Sequence, residues 1–406
     1  MKPFERYYQQ MVDLEAAHLR RQCPSYLPVD ATHVVPLDIV EERAQRGPTT
    51  FPAPLHHIMM ASNNYLGLTH HPEVKAAAQK AIDMYGTGSG GSRLTSGAFP
   101  LFTALEWILS ELKGTDSALI FNTGYMANVG TITALVGKGD TIFSDELNHA
   151  SIIDGCRLSG ATVCVYPHKD MVALKELLLK APTTGIRLIV TDSVFSMDGD
   201  IAPLEELAFL ARRHDALLMT DDAHATGVLG DGRGSAHYFG LTESVDIQMG
   251  TLSKALASEG GFVCGKRLLI DTIINKARSF IFSTALTPAD IAAALAAVEI
   301  ITGPDSPVPQ LHSNEAYMKE ALAKNGITVH TESPIFPIMI GEADKALRIA
   351  DQLRDHGIIL TPIRPPSVPD GKSRLRLTVT AAHSEADLDY VANCLGDVLK
   401  SQQAAD

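Results

Sequence analysis

Between residues 118 and 265 the chain repeats one plan: a short apolar run, a polar turn at its carboxyl end, then a stretch of helical spacing. The runs are Ala118 to Phe121, Thr141 to Phe143, Ala161 to Val165, Leu188 to Val190, Leu217 to Met219 and Ile247 to Met249. Such alternation predicts an α/β fold with a mostly parallel central sheet sandwiched by helices. Ligands of open sheets of this kind sit beyond the carboxyl ends of the strands. The residues to search for chemistry are therefore Asn122 to Tyr125, Ser144 to His149, Thr191 to Ser193, Asp221 to His224 and Thr251 to Lys254.

Lys254 closes a small-residue turn, Thr251-Leu252-Ser253-Lys254. A lone lysine is most often a solvated surface residue. Its partners change that reading, because the apolar run Leu217 to Met219 leads into a carboxylate, Asp221, with an imidazole, His224, three residues on. The set suits pyridoxal 5'-phosphate (PLP). A carboxylate keeps the pyridine nitrogen protonated so that the ring is an electron sink, an imidazole can bond the phenolic oxygen, and a lysine can form the Schiff base. Gly124-Tyr125 opens a helix-like segment whose N–H groups could receive a phosphate, although an ordinary strand-to-helix turn reads the same. His149 could stack on a flat ring or be structural.

The flanking regions carry further signals. Phe4 to Gln22 has helical spacing and ends in Leu19-Arg20-Arg21, which reads as cations at a helix carboxyl end. Ser25 to Pro54 holds Pro28, Pro36, Pro48, Pro52 and Pro54 and reads as a connecting arm rather than a packed unit. Gly86 to Gly97 is the most glycine-dense segment, suited to crowded backbone near a ligand or another chain, and it lacks the G-K-[ST] of a P-loop. After about residue 290 the pattern becomes a smaller α+β region. There Ser373 to Val379 reads as a strand with Arg374 and Arg376 on one face and Leu375 and Leu377 on the other. Such arginines commonly face solvent, but near a cofactor a guanidinium is a bidentate clamp for a carboxylate.

Composition excludes several classes. A net charge of -13, from 34 basic and 47 acidic residues, argues against a nucleic-acid binder. Five scattered cysteines without a C-x-x-C pair suit a reduced, cytoplasmic chain with no zinc or other metal site. The amino terminus lacks an apolar signal region, and no run reaches the roughly 18 apolar residues of a membrane span. With 406 residues, 45% of them hydrophobic, the expected organisation is an N-terminal helix and arm (1–58), a large domain (59–288) and a small C-terminal domain (289–406).

With these residues in view, the chain resembles the α-oxoamine synthase family of fold-type I PLP-dependent acyltransferases from about residue 5 to residue 395. The resemblance is carried by Ser62 to Leu68, Gly88 to Arg93, Asn148 to Ser151, Val194 to Asp200, Asp221 to His224, Gly250 to Lys254, Phe282 to Leu286, and Arg364-Pro365-Pro366 with Arg374-Leu375-Arg376. It implies that Lys254 carries PLP, His149 stacks on its ring, Asp221 pairs with the pyridine nitrogen and His224 meets the phenolic oxygen. Gly124, Tyr125 and Thr251 would hold the phosphate, with Thr284 reaching over from a second subunit and Ser196 at the cofactor's edge. Arg376 would clamp the amino-acid carboxylate, Asn63 and Ser367 would lie near the substrates, and Arg20 would meet the acyl substrate.

The same resemblance implies a homodimer that condenses L-alanine with pimeloyl-CoA, or its carrier-protein thioester, in biotin biosynthesis. Rivals within the family are glycine acetyltransferase, 5-aminolevulinate synthase and serine palmitoyltransferase activity; a rival of another class is a catalytically dead partner subunit. Three positions depart from the family pattern: Ala257 stands for a usual Gly, Phe102 for a frequent His and Lys169 for the Asn of an H-N-D turn.

Overall fold

The structure is a computed structural model that describes residues 3–21, 23–37 and 56–405, the side chains of 403–405 excepted. It divides into two compact units, Met1–Asn63 with Met197–Gly199 and His312–Asp406 in one, and Asn64–Ser196 with Asp200–Leu311 in the other. In the first unit the helix Pro3–Ala16 stops six residues earlier than its spacing predicts. His18 turns left-handed at φ 56°, its N–H bonding the Glu15 carbonyl at 3.0 Å while Leu19 N–H reaches back to Leu14 at 2.8 Å. That pair of bonds satisfies the last carbonyls and ends the helix. Arg20 and Arg21 therefore lie beyond it, and the reading of them as cations in its last turn is corrected: Arg20 pairs with Glu15 at 2.9 Å.

The arm is also more than a connector. β1 (Tyr26–Pro28) and β2 (His33–Pro36) pair antiparallel, and β2 pairs with β3 (His57–Met59), burying Val34 and Val35. Pro28 ends β1, an edge strand, where a missing N–H is tolerated, and Pro36 ends β2. Pro48, Pro52 and Pro54 lie outside the described residues.

The second unit holds a seven-stranded sheet of β4 (Ser117–Phe121), β5 (Thr141–Asp145), β6 (Thr162–Tyr166), β7 (Arg187–Asp192), β8 (Leu217–Asp221), β9 (Ile247–Thr251) and β10 (Gly261–Gly265). The order is β4-β10-β9-β8-β7-β5-β6, and only β10 runs against the rest. Each predicted apolar run falls on one of these strands; β10 is the strand the runs did not include. Leu188, Val190 and Met219 enter one apolar cluster while Ile189 and Leu218, their chain neighbours, enter another. Both faces of the sheet's centre are thus dry, which is why those strands read as unbroken apolar runs, while the edge strand β6 leaves Val163 and Val165 exposed. Each fully buried aliphatic side chain here contributes about 1.5–3 kcal/mol. Because all strands but β10 point the same way, Phe121, Asp145, Asp192, Asp221 and Thr251 end along one edge.

The remaining strands return to the first unit: β11 (Ile335–Gly341), β12 (Ile358–Ile359), β13 (Thr361–Ile363) and β14 (Ser373–Thr378). β12 pairs in parallel with β3, and β14 lies between β11 and β13. Leu375 and Leu377 enter the core of this unit with Phe336, Leu353 and Leu388. The other face of β14 is buried too, so Arg374 and Arg376 are not solvent contacts: Arg374 bonds Asp198 and the Met197 carbonyl, and Arg376 Nη1 donates to Thr378 Oγ1 at 3.0 Å. Among the described residues no helix is long and apolar enough to cross a membrane.

Candidate active site

β9 ends in a turn fastened by its own hydroxyls. Thr251 Oγ1 donates to the Gly260 carbonyl at 2.8 Å and accepts the Ser253 N–H at 3.2 Å. This aims Lys254 into a cavity of about 250 Å³ at the strand ends. Lys254 Nζ lies 2.8 Å from His224 Nε2, and the other ring nitrogen of His224 is 2.6 Å from the buried Tyr65 hydroxyl. The imidazole is thus held at both nitrogens.

Three residues past the lysine, Ala257 takes φ +53°. A left-handed conformation costs a side chain about 1–2 kcal/mol. Glycine would remove that strain but lose about 0.4–1 kcal/mol through the greater freedom of its unfolded chain. Ala257→Gly is therefore expected to raise stability by about 0.5–1 kcal/mol in denaturant unfolding; a loss of stability would show that the methyl makes contacts worth more than the strain.

At the end of β8 the Asp221 carboxylate is gripped from two sides. Its Oδ1 accepts the Ala223 N–H at 2.9 Å, and its Oδ2 accepts Asn128 Nδ2 at 2.7 Å. Asn128 also donates to Ser151 Oγ at 2.9 Å, while its own Oδ1 is buried without a protein partner. Ser151 Oγ lies 2.7 Å from His149 Nδ1, and the Ser151 N–H approaches that nitrogen at 3.3 Å, which assigns the ring proton to Nε2. Burial lowers the His149 pKa, Asp221 opposes and Lys254 adds to the lowering, so the ring is neutral at pH 7. Asp192 Oδ2 accepts the His149 main-chain N–H at 2.6 Å. Burial, and then the charge on Asp221, raise the Asp192 pKa well above the carboxylate range.

The far end of the cavity is a helix amino terminus. Thr123 caps Gly124–Leu135 by accepting the Met126 N–H at 3.1 Å. A Cβ on Gly261, at the start of β10, would lie 2.5 Å from the Thr123 carbonyl and 2.7 Å from Gly124, so only glycine lets the sheet approach this turn. Tyr125 turns its hydroxyl to Asp154, and that hydrogen bond raises its pKa. An amine, a fixed carboxylate, a neutral imidazole and a helix amino terminus thus surround one cavity. That donor set fits the aldehyde, pyridine nitrogen, ring face and phosphate of PLP.

Lys254, His149, Asp221, His224, Gly124, Tyr125, Ser196 and Thr251 all line this cavity. Thr284 is exposed and does not line this cavity; its carbonyl accepts Asn122 Nδ2 at 2.6 Å. Arg20, Asn63, Ser367 and Arg376 belong to the first unit. There Arg20 lines a second cavity with Glu15 and Arg364, Ser367 accepts Arg21 Nη2 at 2.9 Å, and Asn63 is half-buried. Sequence reasoning gave no role to Tyr65, Asn128 and Ser151, and held Asp192 and Ser253 only as members of the strand-end turns. Asn128 did carry a signal: it is an amide inside a helix segment otherwise made of apolar residues, glycine, tyrosine and threonine.

Comparison with known proteins extends these findings. A family model described as aminotransferase class I and II matches residues 56–395. The 8-amino-7-oxononanoate synthase of Geobacter metallireducens is 52% identical over 82% of this chain and 86% of its own. That of Geobacter sulfurreducens is 51% identical over 84% and 89%. A solved serine palmitoyltransferase with its PLP internal aldimine superposes at a TM-score of 0.89 with 30% identity, covering 98% of each chain.

Proposed function

This chain belongs to the aminotransferase class I and II family, and on that premise we propose that it is a PLP-dependent acyltransferase that condenses L-alanine with a pimeloyl thioester, with loss of CO2, to give 8-amino-7-oxononanoate in biotin biosynthesis. The observation that carries the reading is Lys254 Nζ beside His224 in the cavity that also holds Asp221 and His149. About half the residues are shared with two synthases of that name, against 30% with the serine palmitoyltransferase, which favours this acyl transfer over that one.

When bound, PLP supplies an electron sink for the pair released at the amino acid's α-carbon. Lys254 would hold its aldehyde carbon and Asp221 its pyridine nitrogen. His149 would cover the ring face and Ser196 its edge, while the N–H groups of Gly124 and Tyr125 and the Thr251 hydroxyl would take the phosphate. Asn128 and the Ala223 N–H keep Asp221 aimed. The free amine of Lys254 removes the α-proton, and His224, fixed by Tyr65, keeps Nζ in place for it. Arg376 would grip the alanine carboxylate, with Asn63 and Ser367 beside the substrates. The enzyme would work in the cytoplasm as a homodimer, with Thr284 completing the phosphate site of the second subunit.

The reading is tested by assaying glycine, alanine and serine against acetyl-, succinyl-, pimeloyl- and palmitoyl-CoA. Alanine with pimeloyl-CoA should give the highest kcat/KM; serine with palmitoyl-CoA doing so would replace this reading with its rival. The distal carboxylate of the acyl chain needs a cation, and Arg20 is the residue proposed for it. Its partner Glu15 is exposed, and such pairs are worth only about 0–1 kcal/mol, so Arg20 can be redirected at little cost. Arg20→Ala should lower kcat/KM for pimeloyl-CoA about ten- to a hundredfold and spare octanoyl-CoA. Equal losses with both donors would remove Arg20 from the acyl site.

A further inference from the structure

At the end of β5 the Asp145 carboxylate accepts the N–H groups of Leu147 at 2.9 Å and Lys169 at 3.0 Å. Its Oδ1 also lies 3.0 Å from His168 Nδ1, and the other ring nitrogen, Nε2, lies 2.9 Å from Asp200 Oδ2. Ionised carboxylates only accept, so both ring nitrogens must donate, and only the imidazolium carries two N–H groups. The other charged groups here are Lys169, whose Nζ donates to Asp200 at 3.0 Å, and Glu146, which accepts the His168 main-chain N–H at 2.8 Å. Three carboxylates thus face one ammonium around the ring. His168 further packs edge-on against Phe195 at 4.4 Å between centroids, and Phe195 N–H donates to the Asp200 carbonyl at 3.0 Å.

Asp145 opens the turn that ends in His149, and Phe195 precedes Ser196; His149 and Ser196 both line the cavity. We propose that His168 is a positioning residue for that cavity, its imidazolium fastening the His149 turn to the Ser196 turn, which rests on the reading of the cavity as the PLP site. Partial burial works against the charge, but the hydrogen bonds to Asp145 and Asp200 outweigh it and raise the pKa to about 9. A folded value above the ordinary 6.5 means that the fastening is complete below pH 6.5 and is lost as the pH rises through about 9. Lys169 holds a left-handed φ of 57°, where the family's usual Asn is at ease, and its ammonium gives Asp200 a second cation.

The test uses the full chain, with hydrogen exchange first and PLP binding second. The His168→Gln side chain is uncharged and reaches one carboxylate. Without PLP, its deuterium uptake at pH 7 should exceed wild type several-fold at both 145–150 and 193–196. Its PLP dissociation constant should rise about tenfold. With uptake corrected for the intrinsic base-catalysed rise in amide exchange, wild-type protein should approach the variant's values between about pH 8 and 10, while the variant's corrected values stay level. Asp200→Asn, which keeps the shape, should loosen 193–196 and bring the wild-type transition to lower pH; it decides the matter if His168→Gln does not fold. Extra uptake confined to 166–170, or the same pH profile in wild type and variants, would overturn the proposal. If wild type takes up no PLP the cofactor reading falls, and the exchange measurements still decide whether His168 fastens the two turns.

Discussion

Lys254→Ala is expected to lose turnover and covalent PLP together. Lys254 is the lysine among the residues that line the cavity, so no neighbour there offers a replacement amine. Removing a general base alone costs about 10²–10⁴-fold, and the variant also loses the covalent attachment, so turnover should fall to background. PLP itself should still bind, more weakly, because Asp221, His149 and the helix amino terminus at Gly124 are untouched. The fold should be nearly unaffected, since Lys254 is only half-buried and the Thr251 and Ser253 bonds that shape the turn do not involve its side chain. Borohydride reduction followed by mass measurement checks the result. Fixation of PLP at wild-type stoichiometry in the variant would move the covalent site to another lysine.

Much of this site was legible because its chemistry sits where the strand periodicity breaks. A parallel sheet buried on both faces must spell its strands as apolar runs, and the polar turn after each run, a few residues long, is then placed at one edge. Asp221, His149 and Lys254 come out of that reasoning without any knowledge of strand order. What was not legible depends on contacts between distant segments. Asn128 meets Asp221 across 93 residues and Tyr65 meets His224 across 159, and no local pattern encodes either approach. β10 escaped because its five residues begin and end in glycine and it runs against its neighbours.

The misread flanks have local causes. The helix Pro3–Ala16 buries none of its residues, so its spacing was not tied to a core and the left-handed His18 could end it early. Arg374 and Arg376 alternate with leucines as a half-exposed strand would, yet both sides of β14 are covered, and each arginine is paired internally. Phe102 shows a departure from the family pattern becoming intelligible in three dimensions. The Arg93 guanidinium lies 4.1 Å above its ring while bonding Glu106 at 2.8 and 3.1 Å, so an aromatic face supports the cation that a protonated histidine would repel.

Two adjacent carboxylates give the sharpest test of the catalytic assignment, because the structure gives them opposite burdens. Asp222 is fully buried against Lys113 at 2.8 Å and accepts the Ser235 hydroxyl at 2.5 Å. Neutralising it leaves the Lys113 ammonium buried with no counter-charge, which costs about 3–5 kcal/mol. Asp222→Asn should therefore unfold much earlier in denaturant while keeping kcat per folded molecule close to wild type. Asp221 is different. In Asp221→Asn one carboxylate oxygen becomes an amide NH2, but Asn128 can rotate its unpartnered Oδ1 to accept it, and the exchange should cost about 1 kcal/mol of stability. What is lost is the charge opposite the cofactor nitrogen. A neutral amide cannot hold that nitrogen protonated, so removal of the substrate α-proton by Lys254 should slow by several orders of magnitude while PLP stays bound. Exchange of the α-proton of alanine with deuterated solvent follows this step without the acyl donor, and denaturant unfolding follows the other. A larger loss of α-proton exchange in Asp222→Asn than in Asp221→Asn would show that the carboxylate serving the cofactor is the one paired with Lys113.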